Sequence, residues 1–331
     1  MTTSADRALL LRLGEGPVSG DALAREAGQT RAAVWKRIQG LRQAGLAIEA
    51  RPGTGYALAE PVDLLDPGRI RDALPAAAAA EIDTLEVAWT LESTNTELLR
   101  RAQRPGVQVL LAERQSGGRG RRGRSWASPL AANLYLSVAR AFEGGLARLG
   151  GLSLVAGVAV AEALRGLGAG EVGLKWPNDI VVVGADGLRK LGGVLVEGGG
   201  EHAGPARAVV GIGLNVRMPA AFAAGIDQPW TDLRALLDPV PARDAVAAAV
   251  LAALVPALAR FDREGLPPFL PRYAACDVLA GARVQVLSGA EVHEGVALGP
   301  APDGALRVRT AAGERVFHSG EVSLRRMEPA R

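Results

Sequence analysis

The sequence predicts an α+β chain of several domains: an N-terminal winged helix-turn-helix, a central mixed α/β sheet domain and a small C-terminal β-barrel. Three observations point there. Residues 5–58 read as helices separated by turn glycines and closed by a hairpin. Residues 85–264 mix strands and helices without a regular βαβ repeat. From Ala280 the chain breaks into short strands divided by tight turns. A length of 331 residues suits two or three domains, expected here at 1–64, 65–275 and 276–331.

In the first domain Ala5–Leu13 reads as a helix stopped by Gly14. Ser19 caps a second helix over Gly20–Ala27, and Thr30 caps a third over Arg31–Ala44, with Val34, Ile38 and Leu41 on one face. The turn at Gly28-Gln29 gives these two helices helix-turn-helix spacing, and Leu46–Ile48 with Gly55–Leu58 supplies the wing. Off the apolar stripe lie Arg31, Lys36, Arg37 and Arg42, and Arg51 sits in the wing; Thr30, Arg31, Trp35, Lys36 and Arg51 are the expected DNA contacts. A purely architectural helical cap with solvated charges would use the same elements. The proline-punctuated stretch Pro61–Pro67 marks the boundary, so residues 66–331 are expected to work alone.

Beyond it come a short helix over Pro67–Leu74, an alanine-rich connector and a strand over Leu85–Leu91. A helix follows from Glu92, capped by Ser93 or Thr94, with Glu97 placed for a capping box on Thr94. The strands Val107–Leu111 and Asn133–Val138 flank the stretch Gln115–Trp126. Leu152–Leu167 is a buried helix, and strands at Glu171–Lys175 and up to Val183 surround Trp176-Pro-Asn-Asp179. A turn is expected at Gly184–Gly187, within a loop to Arg189 that reads as long, and Arg189–Gly193 is expected to introduce a strand at Val194–Glu197. Val209–Gly213 is a strand ending at Asn215; Asp232–Leu237 and Ala242–Glu264 are helical.

Composition removes several function classes. The single cysteine, Cys276, excludes an internal disulfide framework and a multi-cysteine zinc site, and three scattered histidines argue against a histidine-rich metal site. No apolar signal core and no unbroken run of ~18 apolar residues occur, so a cytoplasmic protein with no membrane partner is expected. The net charge of +3 is mild, and its placement matters more: positive charge gathers in residues 25–51 and 114–124.

The second of these clusters carries four arginines, Arg119, Arg121, Arg122 and Arg124, spaced by Gly118, Gly120 and Gly123. Arginine offers forked, permanently charged donors that suit carboxylates and phosphates. Glycine lets backbone N–H groups close on an anion. An isolated tract of this kind reads equally as a flexible RNA-binding linker. Bounded by strands and followed at once by Trp126, it reads as an ordered anion-binding loop. No Walker-type phosphate loop exists, and Gly118-x-Gly-x-x-Gly123 precedes a strand rather than a helix, which argues against a dinucleotide fold.

Ser93-Thr-Asn95, Gly118–Arg124, Asn133-Leu-Tyr-Leu-Ser137, Lys175-Trp-Pro-Asn-Asp179, Lys190-Leu-Gly-Gly193 with Glu197, and Gly211-Ile-Gly-Leu-Asn215 occur in that order. The set resembles the biotin–protein ligases. The N-terminal winged helix makes the whole chain similar to the two-function members, biotin ligase and biotin operon repressor; the lipoate ligases are the alternative, as is a ligase whose winged helix regulates nothing. The resemblance implies a class II synthetase-like central domain and an SH3-like barrel. It implies biotin, ATP and Mg2+, with no metal held by a dedicated protein site. It implies transfer, through biotinyl-adenylate, to a lysine of a biotin carboxyl carrier protein. A homodimer promoted by biotinyl-AMP and an operator of biotin genes are the further implied partners. By the same resemblance Ser93, Thr94, Asn95, Gln115, Gly118, Arg119, Arg121, Lys190 and Gly211 hold biotin. Arg121, Arg122, Arg124, Trp126, Lys175, Asn178, Asn215, Trp230 and Arg325 hold the nucleotide. Lys190, Arg121, Arg119 and Asp179 are the expected catalytic groups, with Asp179 placing either metal or the incoming lysine.

Overall fold

The computed structural model describes residues 2–143, 145–200, 206–288, 291–319 and 322–326. The first elements are α1 (Thr2–Gly14), α2 (Gly20–Glu26), α3 (Arg31–Gln43) and the antiparallel hairpin β1 (Ile48–Arg51) and β2 (Gly55–Leu58). Ser19 Oγ accepts from the Ala22 amide at 3.1 Å and Thr30 Oγ1 from Ala33 at 3.2 Å, so both predicted caps form. Val34, Ile38 and Leu41 are buried with Leu10, Leu13 and Leu23, which is why α3 presents its polar side outward.

Next come α4 (Pro67–Asp72) and α5 (Ala76–Glu81), so the alanine-rich connector is helical, as alanine's propensity favours. The central sheet has seven strands: β3 (Ile82–Leu91), β4 (Val107–Gln115), β5 (Leu134–Phe142), β6 (Val172–Lys175), β7 (Asp179–Gly184), β8 (Gly187–Gly200) and β9 (Ala206–Leu214). Their order is β3-β4-β5-β9-β8-β7-β6, with β3 and β4 parallel and the other pairs antiparallel. Val107, Val109 and Leu111 of β4 enter the large core under α7 (Leu152–Gly166) and α9 (Arg243–Glu264), whereas Leu110 joins Leu98 of α6 (Thr94–Arg100) on the other face. Burial on both faces explains why Val109–Ala112 of β4 is an unbroken apolar run rather than an alternation. α9 is the one described helix long and apolar enough to cross a membrane by composition, and much of it is buried in this core.

Short helices α8 (Ala220–Ala223) and α10 (Leu270–Ala274) complete the middle of the chain. The segment expected as a helix over Asp232–Leu237 is a single 3-10 turn at Leu233–Ala235, closed by the Asp232 carboxylate accepting from the Ala235 amide at 3.0 Å. The C-terminal strands β10 (Arg283–Ser288), β11 (Glu291–Pro300), β12 (Leu306–Thr310), β13 (Gly313–Phe317) and β14 (Val322–Arg326) form an antiparallel sheet in the order β13-β12-β11-β10-β14. Its inward residues Val284, Val286, Leu306 and Val308 belong to the same core as the central sheet. Residues 276–278 also pair along β6: the Leu174 amide donates to the Cys276 carbonyl at 2.7 Å, and Val278 to Leu174 at 3.0 Å.

Two expectations fail around β8. Gly184 pairs with Gly187, so the expected turn forms at Ala185-Asp186 but without the long loop to Arg189, and Lys190–Gly193 lies within the strand rather than before it. Gly192 explains this: a Cβ there would stand 2.5 Å from a Leu214 methyl and 2.6 Å from the Gly213 carbonyl, so the glycine serves close strand packing, not a turn.

Arg243, fully buried, ties the boundary segment to the central domain. Its guanidinium donates to Glu113 at 2.7 Å, to the Asp63 carbonyl at 2.7 Å and to the Asn133 carbonyl at 3.1 Å. The other Glu113 oxygen accepts from the Leu65 amide at 2.7 Å. These partners are far apart in sequence, and no local pattern marks them.

Candidate active site

A cleft opens where β4, β8 and β9 meet the start of α6. Its lining takes in Ser93, Thr94, Asn95, Gln115, Arg119, Arg121, Arg122, Arg124, Trp126, Lys175, Asn178, Asp179, Lys190 and Gly211, most of the residues the sequence singled out. The β3–α6 junction supplies the first three. Ser93 is the helix cap, accepting from the Thr96 amide at 3.4 Å, so the capping box expected on Thr94 and Glu97 does not form. Thr94 is instead turned to Gln115, whose Oε1 accepts from the Thr94 amide at 2.9 Å.

Glycines make the cleft floor. A Cβ at Gly211 would sit 2.3 Å from Asn95 Oδ1, and one at Gly213 would sit 2.6 Å from the Trp126 ring. The indole N–H of Trp126 is buried without a partner in the protein, a donor left over at the cleft wall. Gly118 does not line the cleft. It forms the neck of the arginine loop, where a Cβ would meet Ser128 Oγ at 2.6 Å and the Trp126 carbonyl at 2.8 Å.

The loop itself is ordered. The Trp126 amide donates to the Gly118 carbonyl at 2.9 Å and Gly120 to Arg124 at 2.7 Å, with a 3-10 turn at Arg121–Gly123 between them. Arg122 adopts φ 59°, a left-handed conformation that costs a non-glycine residue energy and that recurs at ligand-clamping loops. Arg119 donates to Thr96 Oγ1 at 2.6 Å and stands 3.6 Å from Glu197. Arg121 donates to Asn178 Oδ1 at 3.2 Å and to the Ser319 carbonyl of the C-terminal domain. Burial pushes the Arg121 pKa down, against the pull of Asp179 and with the help of Arg122; the group remains a cation at neutral pH.

Lys190 approaches from β8. Its Nζ lies 2.6 Å from Asp179 Oδ1 and 5.6 Å from the centre of the Trp126 ring. Lys175 and Asp179 face each other across the β6–β7 hairpin, at whose turn Trp176 is buried and donates to the Gly304 carbonyl at 3.0 Å. Among the described residues no group of three histidine, cysteine or acidic side chains could hold a metal, and Asp179 is engaged by Lys190.

Asn215 and Trp230 stand apart from the lining. Asn215 is buried and donates to the Thr231 carbonyl at 3.0 Å, while the Lys190 amide donates to the Pro229 carbonyl at 2.9 Å. Together these bonds fasten the segment Pro229–Thr231 along β8 beside Lys190. Arg325 pairs with Gln285 through its backbone; its side chain lies outside the described residues. Ser137 and Glu197 belong to the family-like motifs but received no role from sequence. Both contact Asn95, and the signal for Ser137 is a small polar residue inside a largely apolar strand.

The DNA candidates lie elsewhere, on the winged helix. Trp35 is 55% exposed, and Thr30, Arg31, Lys36 and Arg51 are exposed. Arg31 pairs with Asp21 at 3.1 Å and Arg51 with Glu49 at 3.0 Å.

Comparison with known proteins decides the family. Over 98% of its length the chain is 38% identical to the bifunctional ligase/repressor BirA of Salmonella typhimurium, covering 99% of that protein. The chain belongs to the biotin protein ligase family. Residues 87–215 match the biotin/lipoate A/B protein ligase family, residues 7–57 an HTH domain, and residues 280–325 the biotin protein ligase C terminal domain. The bifunctional ligase/repressor BirA of Escherichia coli is likewise 38% identical over 94% of each chain. The biotin protein ligase from Aquifex aeolicus, solved in complex with biotin and ATP, aligns at a TM-score of 0.62 with 29% identity, covering 74% of this chain and all of that one. As a ligase of this family, the chain carries the N-terminal HTH unit, a mixed central sheet and an antiparallel C-terminal sheet.

Proposed function

We propose that this ligase joins biotin to ATP, forming biotinyl-5′-AMP and pyrophosphate, and then passes the biotinyl group to a lysine of a biotin carboxyl carrier protein. One observation carries the reading: Lys190 on β8 and Arg121 on the loop converge on neighbouring residues, Asp179 and Asn178, at one cleft. Attack of the biotin carboxylate on the α-phosphate loads negative charge onto nonbridging oxygens, and fixed cations there stabilise the transition state without a covalent protein nucleophile. Lys190, Arg121 and Arg119 fill that role, and Asp179 holds Lys190 in position. Thr94 and Gln115 take the ureido end of biotin, with Ser93, Asn95, Gly118 and Gly211 shaping its pocket. Arg122, Arg124, Trp126, Lys175 and Asn178 face the nucleotide, with Asn215, Trp230 and Arg325 supporting its far side. Mg2+ arrives on the ATP phosphates, a common arrangement for this ion.

The domain limits 1–64, 65–275 and 276–331, a class II synthetase-like centre and an SH3-like barrel fit this assignment. So does repression: Thr30, Arg31, Trp35, Lys36 and Arg51 offer a DNA-facing surface, and a homodimer promoted by biotinyl-AMP would present two such surfaces to paired half-sites. Incubation with biotin, ATP and a carrier domain, followed by pyrophosphate release and carrier mass, tests the enzyme. Operator titration with and without biotin plus ATP tests the repressor. Absence of transfer under these conditions would overturn the ligase assignment.

A further inference from the structure

The cleft floor contains more polar contacts than its hydrogens can satisfy at random, and counting those hydrogens fixes their directions. Asn95 Nδ2 faces the Leu195 carbonyl at 3.2 Å and Glu197 Oε2 at 2.8 Å. Both are pure acceptors, so the amide nitrogen must point there and Oδ1 must point the other way. Asn95 Oδ1 meets Ser137 Oγ at 2.6 Å, and the same Ser137 Oγ meets Thr94 Oγ1 at 2.6 Å. A serine hydroxyl has one proton, and an amide oxygen has none to give. For both short contacts to be hydrogen bonds, Ser137 donates to Asn95 and Thr94 donates to Ser137. Thr94 Oγ1 also lies 3.2 Å from Gln115 Oε1, so three oxygen–oxygen contacts share two protons; the longest goes without, and Thr94 Oγ1 is left with lone pairs only.

Gln115 is fixed by equally simple chemistry. Its Oε1 accepts from the Thr94 backbone amide at 2.9 Å, a group that can only donate, so its Nε2 is the end left for another partner. Ser128 Oγ, 3.4 Å from Nε2, holds that end loosely. Thr94 and Gln115 both line the cleft, whereas Ser137 and Glu197 lie behind it. The floor therefore offers one acceptor, Thr94 Oγ1, beside one donor, Gln115 Nε2.

We infer that Ser137, backed by Asn95 and Glu197, is a positioning residue that sets this polarity, so that the cleft selects a ligand edge carrying N–H next to C=O. The inference rests on the biotin reading and deepens it: a cyclic urea has that edge, and the dithiolane of a lipoyl group does not. Glu197 serves the relay from one end by fixing the Asn95 amide. Ser137 serves it from the middle by consuming the Thr94 proton. The ligand never touches either residue. With Thr94, Asn95 and Ser137 buried and each hydrogen directed, such a chain loses its sense if any of the three is replaced by a group that cannot both donate and accept.

A double-mutant cycle on the full chain, read by equilibrium binding of biotin without ATP, tests the idea. Wild-type protein binds biotin; if it does not, the ligase reading fails independently of the relay. Ser137→Ala frees the Thr94 hydroxyl to rotate and is expected to weaken biotin binding about tenfold. It is expected to leave the KM for ATP unchanged, a split that a general loss of packing would not produce. Thr94→Val removes the hydroxyl at constant shape and is expected to cost at least as much. If Ser137 acts through Thr94, adding Ser137→Ala to Thr94→Val changes binding by no more than about twofold. Ser137→Cys keeps most of the volume with only a weak donor and is carried through the same cycle, so that a poorly folding alanine variant leaves a result. Unchanged biotin affinity in the single Ser137 variants, or fully additive losses in the cycle, would overturn the proposal.

Discussion

Two stretches of this chain look alike in sequence, and they behave differently in space. Residues 25–51 and 114–124 are its two basic clusters, each rich in arginine. In the winged helix the cations spread out. Arg31 pairs with Asp21, Arg51 with Glu49, and Arg37 is turned inward to Asp6 at 2.7 Å, leaving Lys36 and Trp35 on the outer face of α3. In the arginine loop they converge. Arg121 is held by Asn178 and the Ser319 carbonyl, Arg119 by Thr96 and Glu197, and Lys190 arrives from β8 to meet Asp179. Spread cations suit a long, uniformly charged polymer; converging ones suit a single small anion. The number of positive charges does not separate these uses, but the acceptors around them do.

The chain between the two regions passes through the boundary segment, and its anchor is the first thing to break. Glu113→Gln, or Arg243→Met, leaves one member of a buried ion pair unmatched and is expected to destabilise the protein by about 3–5 kcal/mol. Chemical denaturation measures this, and a loss under about 1 kcal/mol would show that the pair is not the anchor between the boundary segment and β4. The same network sharpens the domain boundary. Asp63 and Leu65 donate to or accept from it, so a truncation starting at residue 60 is expected to transfer biotin with better yield and stability than one starting at residue 66. Equal stability of the two would free the boundary segment from that role.

Within the converging cluster, Lys190→Ala and Arg121→Ala are each expected to slow pyrophosphate release by about 10²–10³-fold while the protein stays folded. Retention of activity within about twofold would remove either from the chemistry. Within the spread cluster the effects are smaller. Lys36→Ala or Arg51→Ala should weaken binding to operator DNA moderately and reduce the slope of log affinity against log salt by about one for each phosphate no longer neutralised. An unchanged slope, measured by fluorescence titration across salt concentrations, would show that these side chains do not meet the phosphates. Asp21→Ala, which only frees the exposed Arg31, should change stability by less than about 1 kcal/mol.

The order of elements was legible because it rests on local periodicity: the Val34/Ile38/Leu41 stripe, the caps at Ser19 and Thr30, the apolar run of β4. Most of the cleft was legible too, since its motifs are contiguous. What escaped the sequence was contact between distant residues. Lys190 reads as leading into a strand that begins at Val194, yet Gly192 serves the close approach of β9 and Lys190 lies inside the strand. Thr94 and Glu97 have capping-box spacing, but Gln115 claims Thr94 from across the sheet and Ser93 caps instead. Arg243, Glu113 and Asp63 come together only once the fold exists. Ser137 looks like an ordinary strand serine until its two neighbours are counted.

A sheet has two outer strands, and each is a place where another chain can add by hydrogen bonding. Residues 276–278 already occupy the outer side of β6, bonding to Leu174 on both sides of its peptide unit. Among the described strands of the central sheet, that leaves β3 as the terminal strand with a strand partner on one side only. A sheet that can be extended from a single end supports pairing, after which no end remains. Growth into a fibre would need a second open end, and the C-terminal segment has closed it.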